Sequence, residues 1–371
     1  MRIALAHPFS WPEVRRGGER VLHDLAWALH DQGHDVRIVS GTPGPSASSS
    51  VEGVPIDRLH NRGVLNRRGI TRYETFGLDA FPWLVRHRFD VVVAMTPTSA
   101  VASRLAGQRT VFSTMGWPTA EYWVHRPVEA RAFRLAARLA HAVTALSSPV
   151  ADSVRTLTGR AATVLAPGVR LEHFPMTEGP RTGPPVVLFA SWAEERGKGL
   201  DHLVAALARL LERRPDIRLW LGGGGDPSWA MAGLDQGARR RVEAAIDVVA
   251  DQQRPITPEI YGAAHVTALP SQMESFGLVL VESLACGTPV VGSAAGGILD
   301  TAAGCEEARL VPHGDVAALT AALEAAMDMA ADPGTAPGAR EAASRFDWRT
   351  VIGPRHAAFY ETVARSRRHA D

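Results

Sequence analysis

The chain has 371 residues, of which 46% are hydrophobic and 21% charged. This length favours two domains, and this composition excludes disordered, collagen-like and coiled-coil proteins. The net charge of +1 and the lack of a recognition motif also argue against a nucleic-acid-binding protein.

The first half of the chain alternates short Val-, Ile- and Leu-rich runs with amphipathic stretches, a pattern typical of parallel α/β domains. A helix is predicted over residues 19–32, ending at Gly33, where a left-handed cap is wanted. The segments 41–51 and 58–72 are predicted loops. Strands are predicted over residues 3–6, 36–40, 91–94, 110–113, 143–146 and 162–165. We therefore expect one doubly wound sheet here.

A Pro- and Gly-rich linker over residues 179–185 separates this half from a second region of the same class. Helices are predicted over residues 200–213 and 348–366, and residues 331–338 are predicted to be irregular. Strands are predicted over residues 186–190, 217–221, 266–269, 289–292 and 309–311.

Cysteine content and hydropathy indicate the compartment. The two cysteines, Cys286 and Cys305, are too few for a disulfide framework or a four-ligand zinc site. The run 1–6 is too short for a signal-peptide core, and no stretch reaches the roughly 18 apolar residues of a membrane span. We therefore expect a cytoplasmic protein.

Two glycine-rich segments are candidate phosphate contacts. Gly17 and Gly18 stand between the first strand and the first helix, where free amides favour an anion. A second run, 222–225, follows a strand of the second region. A tight turn is the more common reason for a glycine pair before a helix, and neither segment has the spacing of a Walker loop or a dinucleotide fingerprint. The sequence thus supports neither a nucleotide triphosphatase nor a dehydrogenase.

The segment 270–291 carries the most specific pattern. With Glu274 in a loop and a helix beginning near Phe276, Glu282 is expected almost two turns inside, up to about 10 Å away. Two such carboxylates can bind separate hydroxylated parts of one long ligand, while the amides of Gly277 and Leu278 face its anionic middle. The alternative is one acid at the helix start and a second, solvated glutamate.

Lys198 is the single lysine among 40 basic residues. An arginine-rich composition commonly reflects genome composition, so the exception is informative. A compact ammonium on a flexible stem suits a phosphate oxygen.

These segments together resemble the retaining nucleotide-sugar glycosyltransferases of family 4, of actinobacterial type. The resemblance rests on segments in the right order, namely 17–19, 25–26, 33–36, 168–169, 198–199, 222–225 and the E-x(7)-E motif from Glu274 to Glu282. It implies the GT-B fold, with two Rossmann-like doubly wound domains facing across a cleft. Residues 1–175 would bind acceptor, residues 186–346 would bind donor, and a C-terminal helix over 347–371 would pack back on the first domain.

The resemblance also implies roles for individual residues. Glu274 would bind the donor sugar, Glu282 the ribose, and Lys198 the departing diphosphate. Further donor-binding positions are Gly17, Gly18, Ser191, Gly223, Phe276, Gly277 and Leu278.

Four positions depart from the family pattern. Pro167 replaces an asparagine, Asp300 is a shorter acid than expected, and the other two departures concern candidate site residues. The strand ending at Ser191 lacks the usual arginine, so Arg196 is the expected substitute and joins Glu274 and Lys198 as the third catalytic candidate. Met115 stands where the family often has a histidine. Acceptor-side candidates are His7, Met115, Gly116 and His125, although a satisfied or exposed role is favoured for the histidines.

The resemblance thus implies a metal-independent, retaining hexosyltransferase without a cofactor, using a UDP-sugar or else a GDP- or TDP-sugar. Its acceptor would be a small molecule or a lipid-linked glycoconjugate of natural-product or cell-envelope biosynthesis. The alternatives are a nucleotide-sugar-binding regulatory protein that lost turnover, or an epimerase of related fold. Arginines 126, 131, 134 and 138 along one predicted helix could contact anionic lipid, but a solvated face is favoured because large apolar residues are few.

Overall fold

The computed structural model describes residues 1–61, 71–124, 126–177, 179, 181–251 and 255–366. The chain forms two compact units. Unit 1 combines Met1–Gly168 with Asp347–Asp371, and unit 2 is Val169–Phe346. Each unit is built on a mainly parallel β-sheet flanked by helices, as the α/β pattern predicts.

The sheet of unit 1 has eight strands in the order β3-β4-β2-β1-β5-β6-β7-β8. Its strands are β1 Arg2–Ala6, β2 Asp35–Thr42, β3 Ala47–Val51, β4 Val54–His60, β5 Val91–Ala94, β6 Thr110–Thr114, β7 Ala142–Ala145 and β8 Thr163–Val164. All neighbours pair in parallel except β3 and β4. Strand β5 is buried at every residue, as expected of a central strand covered on both faces.

Among the described residues, six helices precede the start of unit 2: α1 Gly17–Asp31, α2 Arg72–Arg86, α3 Pro97–Leu105, α4 Ala120–Val124, α5 Pro127–Leu139 and α6 Ser148–Thr158. Helix α1 buries Leu22, Leu25 and Leu29, which share one face at spacings of three and four. Its end is as predicted, because Gly33 follows with a φ of +82°.

The sheet of unit 2 has six parallel strands in the order β11-β10-β9-β12-β13-β14. They are β9 Val186–Phe189, β10 Arg218–Leu221, β11 Ile246–Val248, β12 Val266–Leu269, β13 Val290–Ser293 and β14 Ala308–Val311. The helices are α7 Leu200–Leu211, α8 Gln236–Ala245, α9 Pro258–Ala263, α10 Leu278–Ala285, α11 Ile298–Ala302, α12 Val316–Met329 and α13 Thr335–Ser344.

The C-terminal segment belongs to unit 1. A π-helical turn, Trp348–Ile352, leads into α14, Gly353–Arg365, which packs against α1. The predicted single helix over 348–366 therefore begins as a wider turn. Within the described residues, no helix is both long and apolar enough to cross a membrane.

Three predicted loops contain regular structure. Residues 47–51, within a predicted loop, form β3, an exposed serine-rich edge strand held by antiparallel pairing with β4. Strand β4 covers the start of the predicted loop 58–72, and α13 begins inside the predicted irregular segment 331–338. Because β3 has little apolar alternation, its hydrophobic pattern does not indicate a strand.

The boundary between the units differs from the predicted one. The sequence assigns residues 169–175 to the first domain, but they belong to unit 2. Val169 N–H donates to Phe346 O at 2.9 Å. The Arg340 guanidinium donates to Leu171 O at 3.1 Å and to Phe174 O at 2.5 Å. These hydrogen bonds fix the segment to the end of unit 2.

Candidate functional site

The second sheet changes direction between β9 and β12. From β9 the chain continues to β10 and β11 on one side, whereas β12, β13 and β14 follow on the other. Open α/β sheets bind ligands beyond the carboxyl ends of the strands at such a switch point. The loop after β9 carries Lys198, and the loop after β12 carries Glu274. The two candidate residues with the clearest chemistry therefore lie on loops that flank the switch point.

Lys198 and Glu274 form an ion pair. The Lys198 Nζ donates to Glu274 Oε2 at 2.8 Å and lies 3.7 Å from Glu195 Oε1. Burial alone would lower the pKa of Lys198, but the two carboxylates outweigh this effect and raise the pKa above its ordinary value. The ammonium is therefore charged at neutral pH, and its side chain stays 20% exposed. A cation and a carboxylate side by side suit a ligand whose phosphate and hydroxyl groups are close together.

A close approach of two loops positions Lys198. Gly199 has a φ of +77°, and a Cβ there would collide with the carbonyl oxygen of Pro270. The Gln272 N–H donates to Gly197 O at 3.0 Å. Only glycine permits both the left-handed backbone and this approach, so Gly199 fixes the register between the lysine and the glutamate.

The Glu274 loop is held from the segment after β13. The Gly297 N–H donates to Glu274 O at 2.8 Å, and the Thr301 hydroxyl donates to Phe276 O at 2.5 Å. One oxygen of the Glu274 carboxylate is paired with Lys198, and the other lies 3.5 Å from Phe276 N. The carboxylate is thus oriented by its neighbours before any ligand arrives.

Helix α10 begins at Leu278 and not near Phe276 as predicted. Gly277 precedes it with a φ of +92°, a left-handed conformation that ends the loop and starts the helix. Phe276 lies outside the helix with its ring buried edge-on against Phe346, so only its backbone is available to a ligand. Glu282 is consequently the fifth helical residue, one turn from the start, and the prediction of almost two turns is wrong.

Glu282 is buried and already engaged. It is 7% exposed, and the Tyr261 hydroxyl donates to its Oε2 at 2.6 Å. Tyr261 is fixed in turn by its own carbonyl, which accepts from the Thr288 hydroxyl at 2.8 Å. Sequence reasoning missed Tyr261, because nothing in the chain relates α9 to α10 before the fold is known. The tyrosine orients the carboxylate that the sequence assigned to ribose.

The glycine run 222–225 lets two loops pack closely. A Cβ at Gly223 would collide with the backbone of Ser191 and Trp192, and a Cβ at Gly225 would lie 2.8 Å from the Trp192 ring nitrogen. The Ala193 N–H donates to Gly224 O at 2.9 Å. Ser191 and Gly223, two predicted donor-binding positions, are therefore brought together by packing at the ends of β9 and β10.

Arg196 does not join the Lys198 pair. Its exposed guanidinium lies 5.2 Å from the centroid of the Trp229 ring, an arrangement of the cation–π type. Trp229 is itself anchored, because its ring N–H donates to Ala193 O at 2.8 Å. Sequence reasoning did not single out Trp229 as a partner for Arg196.

In unit 1, Gly17 and Gly18 begin the 15-residue helix α1 with open space around them. A Cβ at either position would meet nothing within 4 Å, so packing does not explain the two glycines. Glu19, the next residue, is 2% exposed with its Oε1 unpartnered among the described residues. Burial raises the pKa of Glu19. The start of α1 therefore combines accessible backbone with a buried acid.

His7, at the carboxyl end of β1, is 3% exposed. Its Nδ1 lies 2.8 Å from Phe9 O, and its ring meets the rings of Phe9 and Tyr73 edge-on. Burial lowers the pKa of His7 to about 4, so the ring is neutral at physiological pH. This environment is that of a satisfied structural histidine, one of the two roles expected for it.

Met115 and Gly116 follow β6, whose carboxyl end lies at the same edge of the sheet as that of β1. Met115 is half-buried, whereas Gly116 is exposed, and a Cβ added to it would meet nothing within 4 Å. The candidate His125 lies outside the described residues. Across the described ranges, no cluster of three or more His, Cys, Asp or Glu side chains could hold a metal ion.

Two family models match the chain, one in each half. A model described as glycosyltransferase family 4 matches residues 15–173, and a model described as glycosyl transferases group 1 matches residues 184–329. The first match lies within the predicted first domain, and the second begins two residues before the predicted second domain, 186–346, and otherwise lies within it.

Curated relatives match over nearly the whole length. A glycogen synthase of Mycobacterium tuberculosis is 28% identical, with 95% of this chain and 92% of that protein covered. A phosphatidyl-myo-inositol mannosyltransferase of Propionibacterium freudenreichii is 29% identical, with 98% and 95% covered.

Solved structures share the two-unit fold. Sucrose-phosphate synthase from Thermosynechococcus elongatus superimposes with a TM-score of 0.76 at 21% identity, over 98% of both chains. HepE from Anabaena, in complex with UDP and glucose, has a TM-score of 0.74 at 20% identity, over 98% of this chain and all of that one. The GT-B fold class predicted from the sequence is confirmed.

Proposed function

Since the chain belongs to the family 4 glycosyltransferases, we propose that it transfers a sugar from a nucleoside-diphosphate donor to a small-molecule or glycoconjugate acceptor. We further propose retention of anomeric configuration and no metal ion. A UDP-sugar is the favoured donor, and its support is the fold shared with HepE, which was solved with UDP and glucose. Unit 2 would bind the donor and unit 1 the acceptor.

The observation that carries the proposal is the Lys198–Glu274 pair at the switch point of the second sheet. A nucleotide sugar offers a diphosphate next to sugar hydroxyls, which matches the adjacent ammonium and carboxylate. The amide end of α10 adds a partial positive charge close to Glu274. Glu282, already oriented by Tyr261, would take a hydroxyl further along the donor.

Transfer of the sugar requires stabilisation of the diphosphate as the leaving group. When the bond from the anomeric carbon to the phosphate oxygen breaks, both electrons stay on that oxygen and negative charge grows there. Lys198 would meet this charge as a permanent cation, because its raised pKa keeps it protonated. In the free protein Glu274 neutralises Lys198, so the diphosphate would take over part of that pairing as it binds.

Nucleotide binding tests the donor site. We expect one of UDP, GDP, TDP or ADP to raise the melting temperature, because a ligand that binds only the native state stabilises it. Lys198→Ala should weaken that nucleotide about 10- to 150-fold, the range for losing a hydrogen bond to a charged group. Glu195→Gln is the matched control, since Glu195 lies 3.7 Å from the same ammonium on an exposed side chain. Equal effects of both variants would remove the support for the site.

Turnover separates the proposal from its alternatives. Transfer or donor hydrolysis that is lost in Glu274→Gln, with nucleotide binding kept, supports the transferase. Tight nucleotide binding without turnover on any acceptor would favour a regulatory protein, an alternative motivated by Met115 and by the engagement of Arg196 with Trp229. Interconversion of free nucleotide sugars without an acceptor would indicate an epimerase.

A further inference from the structure

Trp192 is an aromatic side chain left in water beside the candidate donor site. All nine tryptophans of the chain lie within the described residues, and Trp192 is the only one that is exposed, at 42%. It follows the end of β9 by three residues, at the carboxyl edge where the second sheet changes direction. An exposed indole at a ligand-binding edge indicates a contact that forms only with a ligand.

Hydrogen bonds hold the backbone on which Trp192 stands. The Ala193 N–H donates to Gly224 O at 2.9 Å, and the Glu195 N–H donates to Trp192 O at 3.1 Å. The Trp229 ring N–H donates to Ala193 O at 2.8 Å. The segment is therefore tied to the loop after β10. A ring that is fixed in advance loses little conformational freedom when a ligand binds, so more of the contact energy appears as affinity.

The indole ring of Trp192 is packed along one edge. Gly225 has a φ of +92°, and a Cβ there would lie 2.8 Å from the ring nitrogen and 2.9 Å from the adjacent ring carbon. Only glycine at this position leaves room for the ring where it stands. Because the pyrrole edge lies against Gly225, the exposed surface belongs mainly to the rest of the ring.

Exposed carboxylates accompany the indole. Glu194 Oε1 accepts from the Asp226 N–H at 3.4 Å, and the Glu195 side chain is 55% exposed, 3.7 Å from Lys198. The guanidinium of Arg196, in the same loop, is engaged with another indole. Carboxylates repel acidic ligands and accept hydrogen bonds from hydroxyl groups. The surroundings of Trp192 therefore favour a neutral ligand with hydroxyl groups.

Trp192 and the proposed donor-sugar carboxylate lie on opposite sides of β9. Trp192 packs against the loop after β10, whereas Glu274 lies on the loop after β12, and β9 is the strand between β10 and β12. Glu282, on α10, also follows β12. A ring on Trp192 is therefore a different group from the sugar at Glu274.

We propose that Trp192, Glu194 and Glu195 form a carbohydrate subsite for a pyranose ring of the acceptor. The flat faces of a pyranose with equatorial hydroxyls carry C–H bonds, whose partly positive hydrogens are attracted to the negative face of an indole. The equatorial hydroxyls donate to the two carboxylates. The identification of this ring as an acceptor sugar rests on the proposed function, and it narrows the acceptor class to glycosides and glycoconjugates. A nucleobase matches less well, because its ribose is assigned to Glu282, on the far side of β9.

Saturation-transfer NMR with the full chain, with and without UDP, tests the subsite. The probes are methyl β-D-glucopyranoside and methyl β-D-galactopyranoside. We expect the parent to bind at least one of them, and Trp192→Ala to weaken that binding about tenfold. Trp192→Tyr keeps a flat ring and should restore most of it. Leu105→Ala, at a 70% exposed leucine of unit 1, is the control and should leave binding unchanged. Circular dichroism should show all three variants folded, since both positions are exposed.

Calorimetry with UDP, GDP, TDP and ADP separates this subsite from the donor site. We expect Trp192→Ala to bind whichever nucleotide the parent binds, with unchanged affinity. A variant that loses nucleotide affinity and keeps pyranoside binding would show that the indole stacks on the base, which overturns the proposal. Absence of pyranoside binding by the parent, or equal binding by Trp192→Ala, overturns it as well. Failure of the parent to bind any of the four nucleotides counts against the proposed function alone.

Discussion

We expect the buried histidine His356 to make the stability of unit 1 depend on pH. It lies on α14, and its Nε2–H donates to Ala166 O at 3.0 Å because a carbonyl can only accept. In the neutral ring, Nδ1 then accepts from the Tyr360 hydroxyl at 3.0 Å. Burial lowers the pKa of His356 from 6.5 to about 4. Acidification must therefore either charge a buried imidazole or unfold the segment that holds it.

The magnitude follows from proton linkage. The unfolded chain takes up the proton near pH 6.5 and the folded chain only near pH 4, so the stabilisation is complete above pH 6.5 and is lost as pH falls between these values. The shift corresponds to about 3 kcal/mol in total, of which about 2 kcal/mol is lost by pH 5. His7, with a pKa also lowered to about 4, should contribute a loss of similar size.

A glutamine at position 356 isolates this effect. Its amide can donate to Ala166 O and accept from Tyr360, but it does not titrate. We expect urea denaturation, followed by tryptophan fluorescence, to show that His356→Gln loses about 2 kcal/mol less free energy of unfolding than the parent between pH 7.5 and pH 5. Trp348, fully buried with its ring 5.6 Å from that of His356, is a reporter close to the site.

A control variant and the comparison with the parent protein complete this test of His356. His60→Gln, at an exposed ring, controls for the substitution itself. All other titrating groups are common to the parent and the variants, so they cancel in the comparison. If His356→Gln and the parent lose the same free energy on acidification, then burial of His356 does not set the pH dependence, and the reasoning is refuted.

Two further predictions concern other buried or strained positions. Gly199→Ala should lower the free energy of unfolding by about 3 kcal/mol or more and weaken nucleotide binding, because its Cβ would collide with Pro270 O. Gly304→Ala, at a φ of +68° in open space, should lower the free energy of unfolding by about 1 kcal/mol. Equal melting temperatures for the two variants would contradict this explanation. Glu19→Gln should raise the free energy of unfolding at pH 7 but not at pH 4, because burial raises the pKa of this carboxyl and its ionisation opposes folding at high pH. Urea denaturation at the two pH values measures this difference. A variant that is less stable than the parent at pH 7 would show that the charged carboxylate is needed.

The sequence predicted most strands because buried parallel strands are short apolar runs between helices. It missed β3, whose serines are exposed and which pairs with β4 at the sheet edge, and it also missed β4 itself. It also missed β11, three residues at the other sheet's edge. Edge strands depend on a neighbour that is remote in the pattern, so local hydrophobicity does not reveal them.

The sequence predicted which residues form the candidate site better than it predicted the contacts between them. The uniqueness of Lys198 and the spacing of Glu274 and Glu282 were visible in the chain. The ion pair between Lys198 and Glu274 was not, because the two residues are 76 positions apart and meet only when β9 and β12 become neighbours. The hydrogen bond from Tyr261 to Glu282 likewise depends on how α9 packs on α10.

The single lysine of the sequence gives it a single side-chain amine. Within these 371 residues, reagents that label side-chain amines would mark Lys198, and reductive methylation with ¹³C-formaldehyde would place a single side-chain reporter at the centre of the candidate donor site. The ammonium is hydrogen-bonded to Glu274 and only 20% exposed, so its rate of modification would report when that pair opens.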